Sequence, residues 1–270
     1  MSRKSTPLWV FAITAVALFM VSLDNLVVTM ALPVIRRDLG ATLSDLEWTV
    51  NAYTLTFAAL LLMGAALGDR FGRKRLFIIG IAIFTAGSAC AALSPSSGTL
   101  ILARALQGVG GAVTMPLTLT ILSASISAEK RPLALGAWGG IGGLAVAVGP
   151  VVGGAITQGV SWHWIFWVNV PIGIAAIALA YFRLPESTGP DRSIDFVGVA
   201  LASLGLVGSS GASRTATDEA GPTARSLAQS RSASRSSAGS SHGRQGPGSR
   251  CFRCTSSGAE LRWSQTASRS

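Results

Sequence analysis

The sequence predicts an all-α membrane protein: a six-transmembrane-helix bundle, the start of a seventh helix and a disordered tail. Three observations carry this. Of 270 residues, 49% are hydrophobic and only 13% charged, about half the charge of an ordinary soluble domain. The apolar residues gather in uncharged runs of the length a bilayer requires, since a hydrocarbon core of about 30 Å needs about 20 residues of helix. The thirty-one glycines suit the same solvent, because glycine is commoner in membrane helices than in soluble ones.

The spans follow in order. Arg3 and Lys4 precede a first apolar run over 8–34, far longer than the ~7–15 residues of a signal-peptide core. Runs over 48–67 and 76–93 come next, separated by the charged stretch LGDRFGRKR at 67–75. The segment SPSSG at 94–98 breaks the following uncharged stretch, its proline and glycine marking a turn. The fourth, fifth and sixth spans are expected over 99–126, 133–160 and 164–182, and a seventh run begins at Phe196 and stops at Val207. Residues 1–207 thus read as the membrane domain.

Loop charges set the expected orientation. Basic residues mark the N-terminus, the 67–75 loop (Arg70, Arg73, Lys74, Arg75) and the loop after span four (Lys130, Arg131). The alternating connections carry two bases against three acids, no charge, and one histidine. Cytoplasmic loops carry the Lys and Arg excess, so the N-terminus and the 67–75 loop are expected in the cytoplasm.

The net charge of +10 has a different origin. Residues 208–270 hold nine Arg against three acids, with seventeen Ser and no Lys. Such a segment lacks the apolar surface to offset its ordering entropy and is expected to be disordered. Its onset inside an apolar run reads as an out-of-frame continuation of a GC-rich gene near residue 208. A natural arginine-rich tail is the alternative.

Several motifs sit on these spans. The loop reads AALGDRFGRKR over 65–75, LDNLVVTMALP occupies 23–33 in span one, and RALQGVGGA occupies 104–112 in span four. AVGPVVGGAI at 147–156 lies in span five, and SWHWIFWVNVPIG at 161–173 opens span six. The loop resembles the signature between helices two and three of the major facilitator superfamily, with Ala65 in place of its first glycine. The other four resemble the motifs of the fourteen-helix drug:proton antiporter branch. Two departures are Ala145 at an expected glycine and His163 at a usual arginine. The resemblance runs from Trp9 to Val207 and implies the N-terminal half of a proton-coupled, alternating-access exporter of drug-like molecules in the plasma membrane. The chain by itself is then expected not to transport. A six-span unit that dimerises into a complete transporter is a rival. So is a membrane-anchored interaction protein whose basic tail binds lipid or nucleic acid.

Residue chemistry points to three regions. Asp24 is the only charge in span one and Arg104 the only charge in span four. Ionised groups near mid-membrane are costly and mark ion paths or internal pairs. Asp24 lies eight residues before Leu32 and Arg104 five after Thr99, placing both roughly 8–12 Å from the outer face at ~1.5 Å per residue. They are expected to pair, with protonation of Asp24 freeing Arg104; a static structural ion pair is the bland alternative.

In the loop, Asp69, Arg70, Gly72, Arg73 and Lys74 form the candidate gate. Asp69 is expected at the start of helix three, where the helix dipole favours a carboxylate, and Gly72 is expected to permit a tight turn. Topology charge alone is the competing reading. In span five, the pairs Gly136/Gly140, Gly139/Gly143 and Gly149/Gly153 have the spacing that lets helices approach closely. Pro150 should bend that helix. Family resemblance ties this region, with Gly149, Pro150, Gly153 and Gly154, to antiport, whereas ordinary packing explains it equally.

Trp162, Trp164 and Trp167 are expected in an interfacial aromatic belt. CFRC at 251–254 is a lone Cys pair without the second ligand pair that zinc requires. With no nucleophile–base set, phosphate loop or dinucleotide fingerprint, the sequence predicts no enzyme, cofactor or metal, and neither ATP nor nucleic acid as partner. The expected partners are a small drug-like molecule, protons and the lipid bilayer.

Overall fold

In the computed structural model, residues 7–189 are described, and they form seven α-helices making six membrane-length spans. The partial seventh span, the tail over 208–270, CFRC and the N-terminal Arg3 and Lys4 lie outside the described residues.

Helix α1 (Pro7–Leu39) is 33 residues long and outruns its apolar stretch by more than a turn. Backbone hydrogen bonding continues past the hydrocarbon limit because Arg36 and Arg37 in the last turn suit the negative helix end. Gly40, at φ 59°, then closes the helix in the left-handed conformation, with the Ala41 N–H donating to the Arg36 carbonyl at 3.1 Å. Helix α2 (Leu43–Phe71) starts from a capping box in which Thr42 and Asp45 each accept the other's backbone N–H.

Gly72 is the entire joint between α2 and α3 (Arg73–Ala92). Its φ of 110° is one that side-chain-bearing residues rarely adopt. Helix α4 (Ser97–Ser125) begins from a second capping box, Ser96 with Thr99. Helix α5 (Arg131–Gly159) runs unbroken through Pro150.

The sixth span is divided into α6 (His163–Trp167) and α7 (Asn169–Arg183). Pro171 explains the break: it has no N–H for the Trp167 carbonyl one turn earlier. Val168 still keeps helical dihedrals, φ −60° and ψ −34°, so the two pieces act as one span.

Helix α4 is the centre of the bundle, packing most extensively on α2 and α3. Glycines make that approach possible. A Cβ on Gly108 would stand 2.6 Å from the Tyr53 carbonyl, and one on Gly110 would stand 2.7 Å from the Gly80 carbonyl. In lipid, where helices gain nothing from shedding water, such backbone proximity is a main source of association.

Helix α5 behaves differently, packing mainly on α1 and leaving most of its surface exposed. Of its glycine pairs, only Gly149/Gly153 works as expected: added Cβ atoms would meet Leu26 at 2.9 Å and Val27 at 3.2 Å. Gly136, Gly139, Gly140, Gly143 and Gly154 face nothing within 4 Å among the described residues. The close approach expected of these pairs is found at Gly149 and Gly153, on either side of Pro150, against α1. Spacing identifies small residues but not which side of the helix meets a neighbour.

Two smaller corrections concern the aromatic belt and the loop acid. Trp162 is fully buried and its indole N–H donates to Asp38 at 3.0 Å, while Trp164 is exposed. Asp69 lies in the last turn of α2 rather than at the start of α3, because Gly72 alone separates the helices.

Candidate functional site

The two isolated membrane charges meet. Arg104 Nη1 donates to Asp24 Oδ2 at 2.5 Å, and both side chains are wholly buried. Neutral hydrogen-bonding groups complete the pair. Gln107, one turn beyond Arg104 on α4, accepts from Arg104 Nη1 at 3.0 Å and donates its amide to Asp24 Oδ1 at 3.2 Å. The same amide nitrogen donates to Ser88 Oγ on α3 at 2.7 Å. Asn169, at the first residue of α7, donates to Asp24 Oδ1 at 2.8 Å.

The carboxylate thus accepts from two α4 side chains and one α7 side chain, and four helices converge through side chains alone. A fifth contributes an aromatic face: the Arg104 guanidinium lies 4.2 Å from the centre of the Tyr53 ring on α2, a favourable stack for a desolvated cation. Arg104 Nε and Nη2 remain buried with no hydrogen-bond partner among the described residues. Breaking such a pair from one side strands a buried charge, which costs several kcal/mol.

Local sequence explains the convergence. Arg104 and Gln107 are three residues apart and share a helix face, and Gly108 with Gly110 bring that helix against α2 and α3. Asn169 is aimed inward because it shares the buried face of α7 with Gly173, Ala176 and Ala180.

A second cluster occupies the opposite end of the bundle, around the α2–α3 joint. Arg73 Nε pairs with Asp69 Oδ1 at 2.7 Å across Gly72. Arg70 is exposed with its guanidinium over the Phe71 ring at 5.4 Å. Lys74 Nζ donates to the Tyr181 carbonyl of α7 at 2.7 Å.

The chain leaving α7, residues 184–189, straps across this joint. Glu186 Oε1 accepts the Lys74 backbone N–H at 3.0 Å, and Glu186 Oε2 lies 3.6 Å from Arg75 Nε. The Ser187 carbonyl accepts the Arg73 N–H at 2.8 Å, and the Gly189 N–H donates to the Asp69 carbonyl at 2.9 Å. Glu186 therefore caps the first turn of α3, taking up donors a helix N-terminus leaves free.

Of the predicted site residues, Asp24 and Arg104 are in contact, and Asp69, Gly72, Arg73 and Lys74 gather in the clamp, with Arg70 at its edge. In α5, Gly149 and Gly153 touch α1, Pro150 is exposed, and Gly154 meets no neighbour among the described residues. Sequence reading missed Gln107, Ser88, Asn169, Tyr53 and Glu186. Gln107 and Asn169 lay inside recognised motifs, where a neutral amide in an apolar helix is a usable signal. Tyr53 and Ser88 had none.

Comparison with known proteins agrees with this architecture. Residues 14–232 match the family described as the Major Facilitator Superfamily. The tetracenomycin C resistance and export protein of Streptomyces glaucescens is 38% identical over 191 residues, covering 70% of this chain and 36% of that protein. The methylenomycin A resistance protein of Bacillus subtilis is 39% identical over 206 residues, covering 76% and 44%. The chain spans less than half the length of either relative. The crystal structure of the human organic anion transporter MFSD10 (TETRAN) superposes with a TM-score of 0.57 at 16% identity, over 75% of this chain and 54% of that one.

Proposed function

This chain belongs to the Major Facilitator Superfamily, and from that premise we propose that its six spans form the first half of a proton-coupled exporter of drug-like molecules. Support for the substrate class comes from relatives whose names record antibiotic resistance and export. Proton coupling rests on one observation: a carboxylate and a guanidinium, both wholly buried, share a single contact within a membrane-length bundle. A buried ion pair is a costly way to hold helices together, since desolvation offsets most of its attraction. It is an effective switch, because one proton on Asp24 cancels the attraction and leaves Arg104 to find another partner.

In this reading the clamp of Asp69, Arg73, Lys74 and Glu186 is the gate at the cytoplasmic end, with Arg70 at its margin and Gly72 as its hinge. The N-terminus lies on the cytoplasmic side of the cell membrane. The α1–α5 contact at Gly149 and Gly153 fixes the helix that carries Pro150 and Gly154, so that antiport proceeds with little leak. Drug binds near the midplane beside these helices, as in other folds built from repeated bundles.

The test is drug-induced proton release from the purified chain in weakly buffered detergent solution. Binding of a cationic antibiotic should release protons from the wild type, and Asp24→Asn should abolish the release. Equal release from both proteins would remove Asp24 from the proton path.

A further inference from the structure

Helix α7 touches both clusters. At its first residue, Asn169 donates to Asp24 Oδ1 at 2.8 Å and is 3% exposed. Twelve residues later, about 18 Å along the axis at ~1.5 Å per residue, its Tyr181 carbonyl accepts from Lys74 Nζ. The strap leaves directly from its last turn and makes the Ser187–Arg73, Glu186–Lys74 and Gly189–Asp69 bonds. Between these ends the buried face of α7 is Gly173, Ala176 and Ala180. A Cβ on Gly173 would stand 3.1 Å from the Thr85 Cβ. Gly173 lets α7 sit close to Thr85 of α3, Ile172 and Ile177 pack against the core along its middle, and its polar contacts lie at its two ends.

We propose that α7 couples the proton site to the clamp. Asn169 acts as a positioning residue, holding α7 in register through its bond to the Asp24 carboxylate. The inference rests on the reading that Asp24 takes up a proton. A neutral carboxyl is a weaker acceptor than a carboxylate, because charge-assisted hydrogen bonds are roughly twice as strong as neutral ones. Protonation weakens the Asn169 bond, α7 shifts, and the strap it carries loosens from the α2–α3 joint.

Among the described residues, the charged or titratable groups facing Asp24 are Arg104 from α4 and Tyr53 from α2. Helix α7 presents a neutral amide, α3 reaches the site only through Ser88 and Gln107, and α5 meets this stretch of α1 through Gly149 and Gly153. Among the described residues, Asn169 is the side chain of the sixth span that hydrogen-bonds the Asp24 carboxylate.

Hydrogen–deuterium exchange of the whole chain reads this directly, because the Arg73, Lys74 and Gly189 amides are clamp donors. Peptides covering 69–76 and 184–189 should exchange roughly fivefold faster in Asp24→Asn and in Asn169→Leu, the order expected when one net hydrogen bond is lost. The double variant should be no faster than either single one. Asn169→Gln, which keeps an amide donor, should stay near the wild type, as should Ser88→Ala. Unchanged exchange in α4 confirms that Asn169→Leu and Asn169→Gln are folded.

Wild-type clamp exchange in Asn169→Leu overturns the proposal, as does acceleration by Ser88→Ala equal to that by Asn169→Leu, which would route the coupling through α3. Proton release by Asp24 is measured separately. A normal proton response with an unmoved clamp sinks the α7 route alone, whereas loss of the proton response removes the reading beneath it.

Discussion

The two charged clusters are built on opposite principles. Around Asp24 and Arg104 every group comes from a different turn or helix, exposure is 0% for both charges, and partners lie up to 145 residues apart. Around Gly72 the main ion pair is between residues four apart, and its partners are 14% and 34% exposed. In the interior, charges interact strongly but carry a large desolvation cost. At the end of the bundle they interact weakly and are screened. One cluster is thus an all-or-none switch, and the other is a set of small contacts whose sum can be tuned.

The contrast can be broken most sharply at Arg104. Arg104→Met should destabilise the folded chain by about 3–5 kcal/mol, because Asp24 is left buried and unpaired. Adding Asp24→Leu should restore most of that loss in thermal unfolding of the detergent-solubilised protein. A single variant no less stable than the double one would show that the interior is wetter than its burial implies.

A smaller effect is expected at the hinge. Gly72→Ala places a Cβ 2.7 Å from Glu186 Oε1 at φ 110°, and holding a side-chain-bearing residue in that sparsely populated region costs about 1–3 kcal/mol. Limited proteolysis should then cut near residues 184–189 faster than in the wild type. Equal cutting would mean that the strap does not depend on the hinge.

The smallest effect sharpens the comparison by salt. Glu186→Gln should cost no more than about 1 kcal/mol, and the difference from the wild type should shrink in 1 M salt, where the screening length falls to about 3 Å. The Arg104→Met penalty should hardly change in that buffer. A Glu186 effect as insensitive to salt as that of Arg104 would place the clamp in the same electrostatic class as the interior pair.

What could be read before the structure, and what could not, follows from range. The spans were legible because lipid imposes one length and one polarity on each helix, and Asp24 and Arg104 stood out because a charge inside such a run is rare and expensive. Their pairing was expected because constant helical rise gave both residues similar distances from one end of their spans, and they do meet. The loop motif was legible as an ordered set of residue types, but Asp69 was assigned to the wrong helix, since one glycine suffices for the joint.

Only the tertiary structure decided which neutral groups complete the charges. Ser88 and Tyr53 look like any polar or aromatic residue on an apolar helix until α4 is pressed against α2 and α3. Likewise, Gly149 and Gly140 are the same residue in the same helix, yet among the described residues only the first meets a neighbour. Glu186 reads as one more loop acid until the sixth span returns its end to the first turn of α3. Length and polarity are properties of a segment and are written locally. Hydrogen-bond partners and close approaches are properties of pairs, and in this chain those pairs are brought together across as many as 145 residues by helix packing that spacing alone does not orient.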